Sequence, residues 1–265
     1  MRVAIIIPAR YQSSRYPGKP LVELRGADGI RKPLVRRVWE AAMRVEGVDT
    51  VLVATDDTRI ADAVHGFGGQ VAMTSSVHTN GTERCAEVLE TLGDIDIVVN
   101  LQGDAPLTPG FYVDAVIAAL HESPDAMIAT PAIRCSSALL GRLLDDQKAG
   151  RVGGTTAVFG EGGRALYFSK RVIPYIPEAQ RAELGLPVFF HVGLYSYRPA
   201  ALRAYAARPV AEIERLEGLE QLRFLDAGLP VTVVEVAEPG WDIWELNNPS
   251  DLPVVEAALA RAGIR

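Results

Sequence analysis

Short apolar runs alternate with helix-patterned stretches through the first hundred residues. The apolar runs predict strands, at 3–7, 50–55, 70–74 and 96–104. The stretches between them have apolar residues at helical spacing and predict helices, at 33–45, 57–68 and 81–92. Because strands that alternate with helices form right-handed βαβ units, the pattern predicts an α/β protein with a mainly parallel, Rossmann-like sheet.

The second half of the chain is less regular. Its pattern predicts strands at 124–133, 155–160, 164–169, 188–197 and 230–236, and helices at about 199–207, at 213–227 and from about 249. The "EGG" that joins two of these strands is typical of a β-hairpin, and 174–187 is predicted to be a surface loop. We therefore predict a single domain over 1–265, with a hairpin-bearing excursion at about 150–200.

Charge and cysteine content narrow the class of protein. The formal net charge is −6, which argues against a general nucleic-acid partner. The apolar run after Arg2 has five residues, too few for a signal peptide or a membrane span, so we expect a cytoplasmic protein with no membrane partner. Cys85 and Cys135 lie far apart in the sequence and are predicted to be reduced thiols.

Polar segments follow the predicted strands, where ligands of open parallel sheets bind. After the first strand comes "PARYQSSRYPGK", with the cations Arg10, Arg15 and Lys19. Such a loop suits a polyphosphate, although neither GxxxxGK[ST] nor GxGxxG occurs there. The alternative interpretation is a solvated basic loop.

The strand at 96–104 ends in "QGDAP". A carboxylate at the end of a buried strand costs free energy unless it has a partner, and Mg²⁺ binds to one or two carboxylates together with substrate phosphates. Asp104 as a simple turn cap is the alternative. If this loop meets the basic loop at the sheet edge, both suit nucleotidyl transfer, in which an acceptor oxygen attacks the α-phosphorus of a triphosphate.

Seven segments together carry a family resemblance: "PARYQSSRYPGKPL", "VATDD", "NGTERCAEV", "VNLQGDAPL", "GRALYFSKRVIPY", "HVGLYSYR" and "LEGLEQLRFLDAG". Over nearly its whole length the chain resembles the CMP-Kdo synthetases, the 3-deoxy-manno-octulosonate cytidylyltransferases. The resemblance implies a glycosyltransferase-A-like nucleotidyltransferase fold and a homodimer, with the excursion serving dimerisation or sugar binding. It also implies a reaction in which CTP and a 3-deoxy-ulosonic acid give a CMP-sugar and pyrophosphate, with Mg²⁺ as cofactor.

The resemblance implies roles for individual positions. The catalytic residues would be Arg10, Arg15, Lys19 and Asp104. The nucleotide-binding residues would be Pro8, Ala9, Arg10, Ser14, Arg15, Lys19, Thr55, Asp56, Ser76, Gly81, Thr82 and Arg84. The residues facing the sugar acid would be Gln102, Arg164, Tyr167, His191, Glu220 and Gln221. The metal ligands would be Asp104 with either Asn247 or Asp242.

For several of the sugar-facing positions, a purely structural role is the alternative interpretation. His191 is either a hydrogen-bonded core histidine or a partner of a sugar hydroxyl, and Arg164 suits a bidentate contact with a carboxylate. The predicted helix at 213–227 has an apolar face at Leu216, Leu219 and Leu222. On that helix Glu217 is expected to be a solvated charge, an alternative that applies less to Glu220 and Gln221.

The C-terminal segment departs from the family pattern. Where the family reads "GVDTPEDL", this chain reads "GWDIWELNNPSDL". The alignment that keeps the later Pro and Asp-Leu in step puts Asn247 in place of the family's Asp, whereas matching "GWD" retains Asp242. Ala105 and the 150s also differ. The acceptor therefore stays open: Kdo, a related ulosonic acid, or another acid such as a phosphonate. A catalytically decayed nucleotide-sugar-binding relative is the remaining alternative.

Overall fold

The computed structural model describes residues 1–13, 15–181, 183 and 185–265. Its strands are β1 (Val3–Pro8), β2 (Glu23–Arg25), β3 (Arg31–Pro33), β4 (Thr50–Thr55), β5 (Gln70–Met73), β6 (Ile97–Leu101), β7 (Ile128–Arg134), β8 (Thr156–Phe159), β9 (Ala165–Ser169), β10 (Phe189–His191), β11 (Leu194–Tyr197) and β12 (Thr232–Val236). Its α-helices are α1 (Leu34–Ala42), α2 (Thr58–Gly66), α3 (Gly81–Leu89), α4 (Gly110–Glu122), α5 (Ser137–Lys148), α6 (Pro199–Ala206), α7 (Glu212–Glu217), α8 (Leu222–Asp226) and α9 (Leu252–Arg261).

The chain forms two compact units. Unit 1 consists of residues 1–114 and 239–265, and unit 2 of residues 115–238. The single domain over 1–265 stays a prediction, and each unit is described by itself below. None of the helices in the described part of the chain is both long and apolar enough to cross a membrane.

Unit 1 is built on four parallel strands in the order β5–β4–β1–β6. β1 is buried from Val3 to Ile7, as expected for a strand covered on both faces. The connecting helices begin at side-chain caps: Asp57 accepts a hydrogen bond from the backbone N–H of Arg59, and Asn80 accepts one from Glu83. This arrangement confirms the parallel βαβ pattern predicted for the first hundred residues.

Unit 2 is organised around β7. This strand pairs in parallel with β12 and antiparallel with β10 and β11, while β10 continues through β8 to β9. β8 and β9 form the antiparallel hairpin predicted from "EGG". A buried ion pair lies in the helical part, since Nε and Nη2 of Arg223 donate to the two oxygens of the Glu214 carboxylate at 2.7 and 2.8 Å. Cys135 in this unit and Cys85 in unit 1 are free, as predicted, and both are buried.

The prediction of one long strand at 188–197 is wrong, because the chain bulges between β10 and β11. His191 pairs with Ala132 and Ser196 with Ala129, so four residues of one strand oppose two of the other. Pro131 lies in that gap and has no N–H to donate to the ladder. The Thr130 hydroxyl instead donates to the Leu194 carbonyl at 2.7 Å.

The single helix predicted at 213–227 is also wrong. α7 ends at Gly218, whose backbone takes the left-handed conformation (φ 61°), and α8 begins four residues later. The predicted apolar face of that helix is wrong as well, since the Leu216 side chain is 69% exposed. The sequence pattern missed the β2–β3 hairpin and the helices α4 and α5.

Candidate active site

The loops after β1 and β6 meet at the carboxyl edge of the unit 1 sheet. A Cβ atom added to Gly103 would lie 2.4 Å from the Pro8 carbonyl oxygen, so the two backbones approach as closely as only glycine allows. Ala9 is held from the other side, because its N–H donates to the Ala54 carbonyl at 2.9 Å. The sequence therefore places Asp104, directly after Gly103, beside the start of the basic loop.

Two side chains of the basic loop, those of Lys19 and Arg15, contact side chains of other segments. Lys19 donates from Nζ to Oδ2 of Asp104 at 2.6 Å, with side chains 13% and 25% exposed. Arg15 donates from Nη2 to Oδ1 of Asn247 at 2.8 Å. The predicted meeting of the basic loop with the Asp104 loop is thus confirmed. Ser14, which directly precedes Arg15, lies outside the described residues.

Glu245 is a member of this cluster that the sequence analysis missed. Its Oε2 accepts a hydrogen bond from Nδ2 of Asn247 at 3.3 Å. Burial and the neighbouring Asp104 carboxylate raise the pKa of Glu245 to about 7, against the opposing effects of the Asn247 hydrogen bond, Lys19 and Arg15. The cluster therefore brings two mutually repelling carboxyl groups next to two cations.

The backbone of the C-terminal segment fixes this arrangement. The N–H of Leu246 donates to the Asp104 carbonyl at 3.0 Å, and the N–H groups of Asn247 and Asn248 donate to the Asp251 carboxylate. Leu246 is fully buried, whereas Glu245 and Asn247 on either side of it are half-buried and contact each other. That alternation is the sequence signal that could have identified Glu245 together with Asn247.

The contact that the structure shows for Asp242 is with α9. Its side chain is 45% exposed and faces Arg261 of α9, with Oδ2 3.4 Å from Nη2 of the guanidinium. Of the two alternative metal positions predicted from the sequence, Asn247 is the one that lies with Arg15 and Glu245. The part of the chain that the structure describes contains no group of three or more His, Cys, Asp or Glu residues able to hold a metal ion.

A second group of predicted residues surrounds the start of α3. Gly81 and Thr82 form the first turn of this helix, as predicted, where backbone N–H groups favour anions. Arg10 is exposed, and its Nη1 lies 3.5 Å from the carbonyl oxygen of Thr79. Ser76 lies exposed in the same loop. The basic loop and the 76–82 segment are therefore neighbours.

Asn100 is a further residue that the sequence analysis missed. It is fully buried in β6, its Oδ1 accepts from Nε2 of Gln102 at 3.4 Å, and a Cβ atom on Gly81 would lie 3.1 Å from its Nδ2. That Nδ2 has no hydrogen-bond partner among the described residues. An unpaired buried donor beside a helix N-terminus suits a polar ligand.

Arg84 and Asp56, two further residues predicted to bind the nucleotide, contact each other. Nη2 of Arg84 lies 3.5 Å from Oδ2 of Asp56, and Nη1 donates to the Thr74 hydroxyl. Oδ1 of Asp56 is buried without a hydrogen-bond partner in the described residues. Thr55 is fully buried, and its hydroxyl oxygen accepts from the N–H of Asp57 at 3.3 Å. Arg84 therefore has a structural ion pair in addition to any ligand role.

The predicted sugar-facing residues other than Gln102 all lie in unit 2. His191 is buried, its Nε2 lies 2.9 Å from the Thr130 hydroxyl, and burial lowers its pKa to about 3. The Tyr195 ring lies 5.6 Å from the His191 ring, tilted by 46°, and the Tyr195 hydroxyl donates to Oε1 of Gln221 at 3.0 Å. Gln221 is 1% exposed, and its Nε2 has no hydrogen-bond partner in the described residues. The histidine is thus already paired, whereas Gln221 retains a free donor.

Another part of unit 2 contains a pocket of about 410 Å³, lined by residues that include Tyr167, Arg151, Lys170 and Glu217. The expectation that Glu217 is a solvated charge is wrong, because its carboxylate accepts from the Ser169 hydroxyl at 2.7 Å and from the Lys170 N–H at 3.0 Å.

The two remaining sugar-facing candidates are placed as follows. Arg164 is exposed at the start of β9 and pairs with Thr232 by an isolated backbone bridge. Glu220 is half-buried and directly precedes Gln221. The sugar-binding roles of these residues stay predictions.

Comparison with known proteins identifies the family. The sequence model described as "Cytidylyltransferase" matches residues 4–233. The chain belongs to this cytidylyltransferase family.

Relatives of this cytidylyltransferase match it end to end. The 3-deoxy-manno-octulosonate cytidylyltransferase of Maricaulis maris is 42% identical over 264 residues, covering 99% of both chains. The 8-amino-3,8-dideoxy-manno-octulosonate cytidylyltransferase of Shewanella sediminis is 39% identical, covering 98% of this chain and 99% of its own. The resemblance predicted from the seven segments is confirmed.

Solved structures give the same fold. A CMP:2-keto-3-deoxy-manno-octonic acid synthetase complexed with CTP is 36% identical and superposes with a TM-score of 0.84, over 98% of this chain and 99% of the other. The 4-diphosphocytidyl-2C-methyl-D-erythritol synthase of Anaerococcus prevotii has a TM-score of 0.60 at 15% identity, over 97% and 96% of the two chains, a likeness of fold alone. The cytidylyltransferase therefore has the predicted nucleotidyltransferase fold.

Proposed function

We propose that this cytidylyltransferase couples CTP to 3-deoxy-manno-octulosonate (Kdo) or a closely related 3-deoxy-ulosonic acid. The anomeric hydroxyl oxygen of the acid forms a bond to the α-phosphorus of CTP. The bond from that phosphorus to the bridging oxygen breaks, and pyrophosphate leaves while the hydroxyl proton is released. The products are the CMP-sugar and pyrophosphate.

The observation that carries the proposal is the 2.6 Å ion pair of Lys19 with Asp104, in a chain related end to end to octulosonate cytidylyltransferases. Lys19, Arg15 and Arg10 lie on one loop, where their charges would stabilise the pyrophosphate that develops in the transition state. The first turn of α3 supplies N–H groups for the nucleotide, and the unpaired Nδ2 of Asn100 supplies another donor. These groups would hold CTP in position for attack.

Unit 2 contains the residues proposed for the acceptor other than Gln102. The unpaired Nε2 of Gln221 is a donor for a sugar hydroxyl, and Tyr195 holds the amide in place through Oε1. Arg164, Tyr167, His191 and Glu220 complete the proposed acceptor set. His191 would act through its ring as a neutral group, since its pKa is lowered to about 3.

Mg²⁺ is the proposed cofactor, and the donor chemistry fits it. Asp104 offers a carboxylate and Asn247 an amide oxygen, and Mg²⁺ binds to such oxygens together with waters and substrate phosphates. When bound, the ion would neutralise phosphate charge and polarise the α-phosphate. Asp104 and Asn247 would hold it, while Lys19 and Arg15 bind the phosphates.

A second acceptor has specific support. One relative named for the 8-amino-3,8-dideoxy acid is 39% identical, close to the 42% of the relative named for the 8-hydroxy acid. The amino-substituted acid is therefore the second candidate, with the same reaction at the anomeric centre. We propose a homodimer, as the family resemblance implies, and a cytoplasmic location, as expected from the short apolar run after Arg2; sedimentation of the purified protein tests the dimer.

Pyrophosphate release tests the function. The protein is supplied with CTP or UTP, Mg²⁺ and one of three acceptors: Kdo, its 8-amino analogue or a small phosphonate. We expect release with CTP and an octulosonate, and little with UTP or the phosphonate. Binding of CTP without release for any octulosonate would overturn the proposal in favour of a binding protein.

A further inference from the structure

The C-terminal segment carries a carboxylate at a position that no expectation from the sequence assigned. Asn247 has a neutral amide where a charged metal ligand was expected, and Asp242 is 45% exposed beside Arg261. Glu245 lies between them in sequence and is half-buried. Of the acidic residues at 242 and 245, Glu245 is the one that contacts the cluster.

Glu245 is tied to Asp104 and Arg15 by a short chain of contacts. Its Oε2 accepts from Nδ2 of Asn247 at 3.3 Å, and the same amide accepts from Nη2 of Arg15 through Oδ1 at 2.8 Å. The next residue, Leu246, donates its N–H to the Asp104 carbonyl at 3.0 Å. The two carboxyl groups are therefore fixed at the same junction of the fold.

Two acidic side chains and two cationic side chains lie at this junction. Lys19 binds Oδ2 of Asp104, and Arg15 binds the neutral amide of Asn247. Two carboxylates brought together away from water repel each other unless a cation lies between or beside them. Two carboxylates and an amide oxygen form a donor set that Mg²⁺ accepts when substrate phosphates complete its coordination.

We propose that Glu245 supplies the second carboxylate of the Mg²⁺ site, in place of the charge that Asn247 lacks. The inference rests on the proposed function, since it assigns a ligand to the same cofactor. In this arrangement Asn247 orients Glu245 through Nδ2 and offers its amide oxygen to the ion once Arg15 binds the phosphates, and Asp242 has no part in the site. The second negative charge of the proposed metal site thus lies at residue 245 instead of residue 247.

Metal binding can be measured without turnover. Mn²⁺ alone is titrated into the full-length protein and free Mn²⁺ is followed by its EPR signal, for the wild type and for Glu245→Gln, Glu245→Asp and Asp242→Asn. Glutamine keeps the acceptor for Asn247 and removes only the charge. Asp242→Asn is the matched control, because it removes a carboxylate three residues away on the same segment.

We expect E245Q to weaken Mn²⁺ binding about tenfold or more, E245D to bind with intermediate affinity, and D242N to bind within twofold of the wild type. Mn²⁺ binding by E245Q equal to that of the wild type would overturn the proposal, as would an equal loss in D242N. Thermal melting checks the fold, and if E245Q does not fold, E245D decides: a weaker affinity supports the proposal and an unchanged one overturns it. Pyrophosphate release by the wild type reports on the proposed function separately, so the two can fail independently.

Discussion

Lys19 and Asp104 form a 2.6 Å ion pair that joins the loop after β1 to the loop after β6. Both side chains are largely shielded from water, at 13% and 25% exposure. In the proposed reaction the ammonium group exchanges this carboxylate for phosphate oxygens, and Asp104 becomes free to hold the cofactor. The pair thus links the proposed triphosphate loop to the proposed metal loop.

Removal of the Lys19 charge should abolish most of the activity. We expect Lys19→Met to lower kcat/KM for CTP by about a hundredfold or more, because a charge that stabilises the leaving group in the transition state is lost. Lys32→Met is the matched control, since Lys32 is also a half-buried lysine in a 2.7 Å ion pair, with Glu40. Steady-state kinetics with CTP varied would contradict the role if both variants kept near-normal values.

The close approach at Gly103 should not tolerate a side chain. A Cβ atom would lie 2.4 Å from the Pro8 carbonyl oxygen, so Gly103→Ala must displace the backbone of one loop. We expect a loss of about 1–3 kcal/mol in the free energy of unfolding, measured by urea denaturation, and a raised KM for CTP. Gly110→Ala serves as the control, because among the described residues no atom beyond its chain neighbours and its own helix backbone lies within 4 Å of the added Cβ, and it should lose no stability. Equal stability of the two variants would argue against the steric account.

These first predictions rest on parts of the site that could be predicted from the sequence. The strands β1 and β6, the cations of the basic loop and Asp104 follow from local patterns, because buried parallel strands are apolar runs and their carboxyl ends share one edge. The contact of Lys19 with Asp104 needed only that topology. Asn80 as the cap of α3 is equally local.

Other parts depend on contacts that no local pattern contains. The choice between Asp242 and Asn247, and the presence of Glu245, depend on which side chains of an irregular segment face Asp104. The bulge at Val192 depends on Pro131 and Thr130 of another strand. The break after α7 depends on Gly218, which the helical spacing of its neighbours concealed.

Burial of His191 should make stability fall in acid. Its pKa is about 3 in the folded protein against about 6.5 unfolded, so the unfolded state binds the extra proton as the pH falls below 6.5. Between pH 7 and pH 5 this group alone should lower the free energy of unfolding by about 2 kcal/mol, with the loss complete near pH 3.

The variant His191→Gln tests that pH dependence, since an amide can replace the hydrogen bond to Thr130 without titrating. Denaturant unfolding at pH 7 and pH 5 should give a smaller difference for H191Q than for the wild type. His65→Gln is the control at an exposed histidine and should keep the wild-type difference. An unchanged difference in H191Q would mean that other groups cause the acid sensitivity.

Moving the carboxylate from residue 245 to residue 247 should restore metal binding. In the double variant Glu245→Gln with Asn247→Asp, the carboxylate moves two residues but stays beside Arg15, so Mn²⁺ affinity should recover most of what E245Q loses. The double variant Glu245→Gln with Ser250→Asp has the same net charge with the carboxylate at an exposed position, and should not recover. EPR titration compares them, and equal affinities would count against a site at this junction.

Product formation from CTP and Kdo tests the central claim most directly. The protein is incubated with both substrates and Mg²⁺, and the mixture is followed by ³¹P NMR and mass spectrometry. We predict a new phosphodiester resonance and the mass of the CMP-sugar, formed in equal amount with pyrophosphate. Intact CTP, with no CMP-ester of Kdo or of its 8-amino analogue at saturating substrate, would contradict the account.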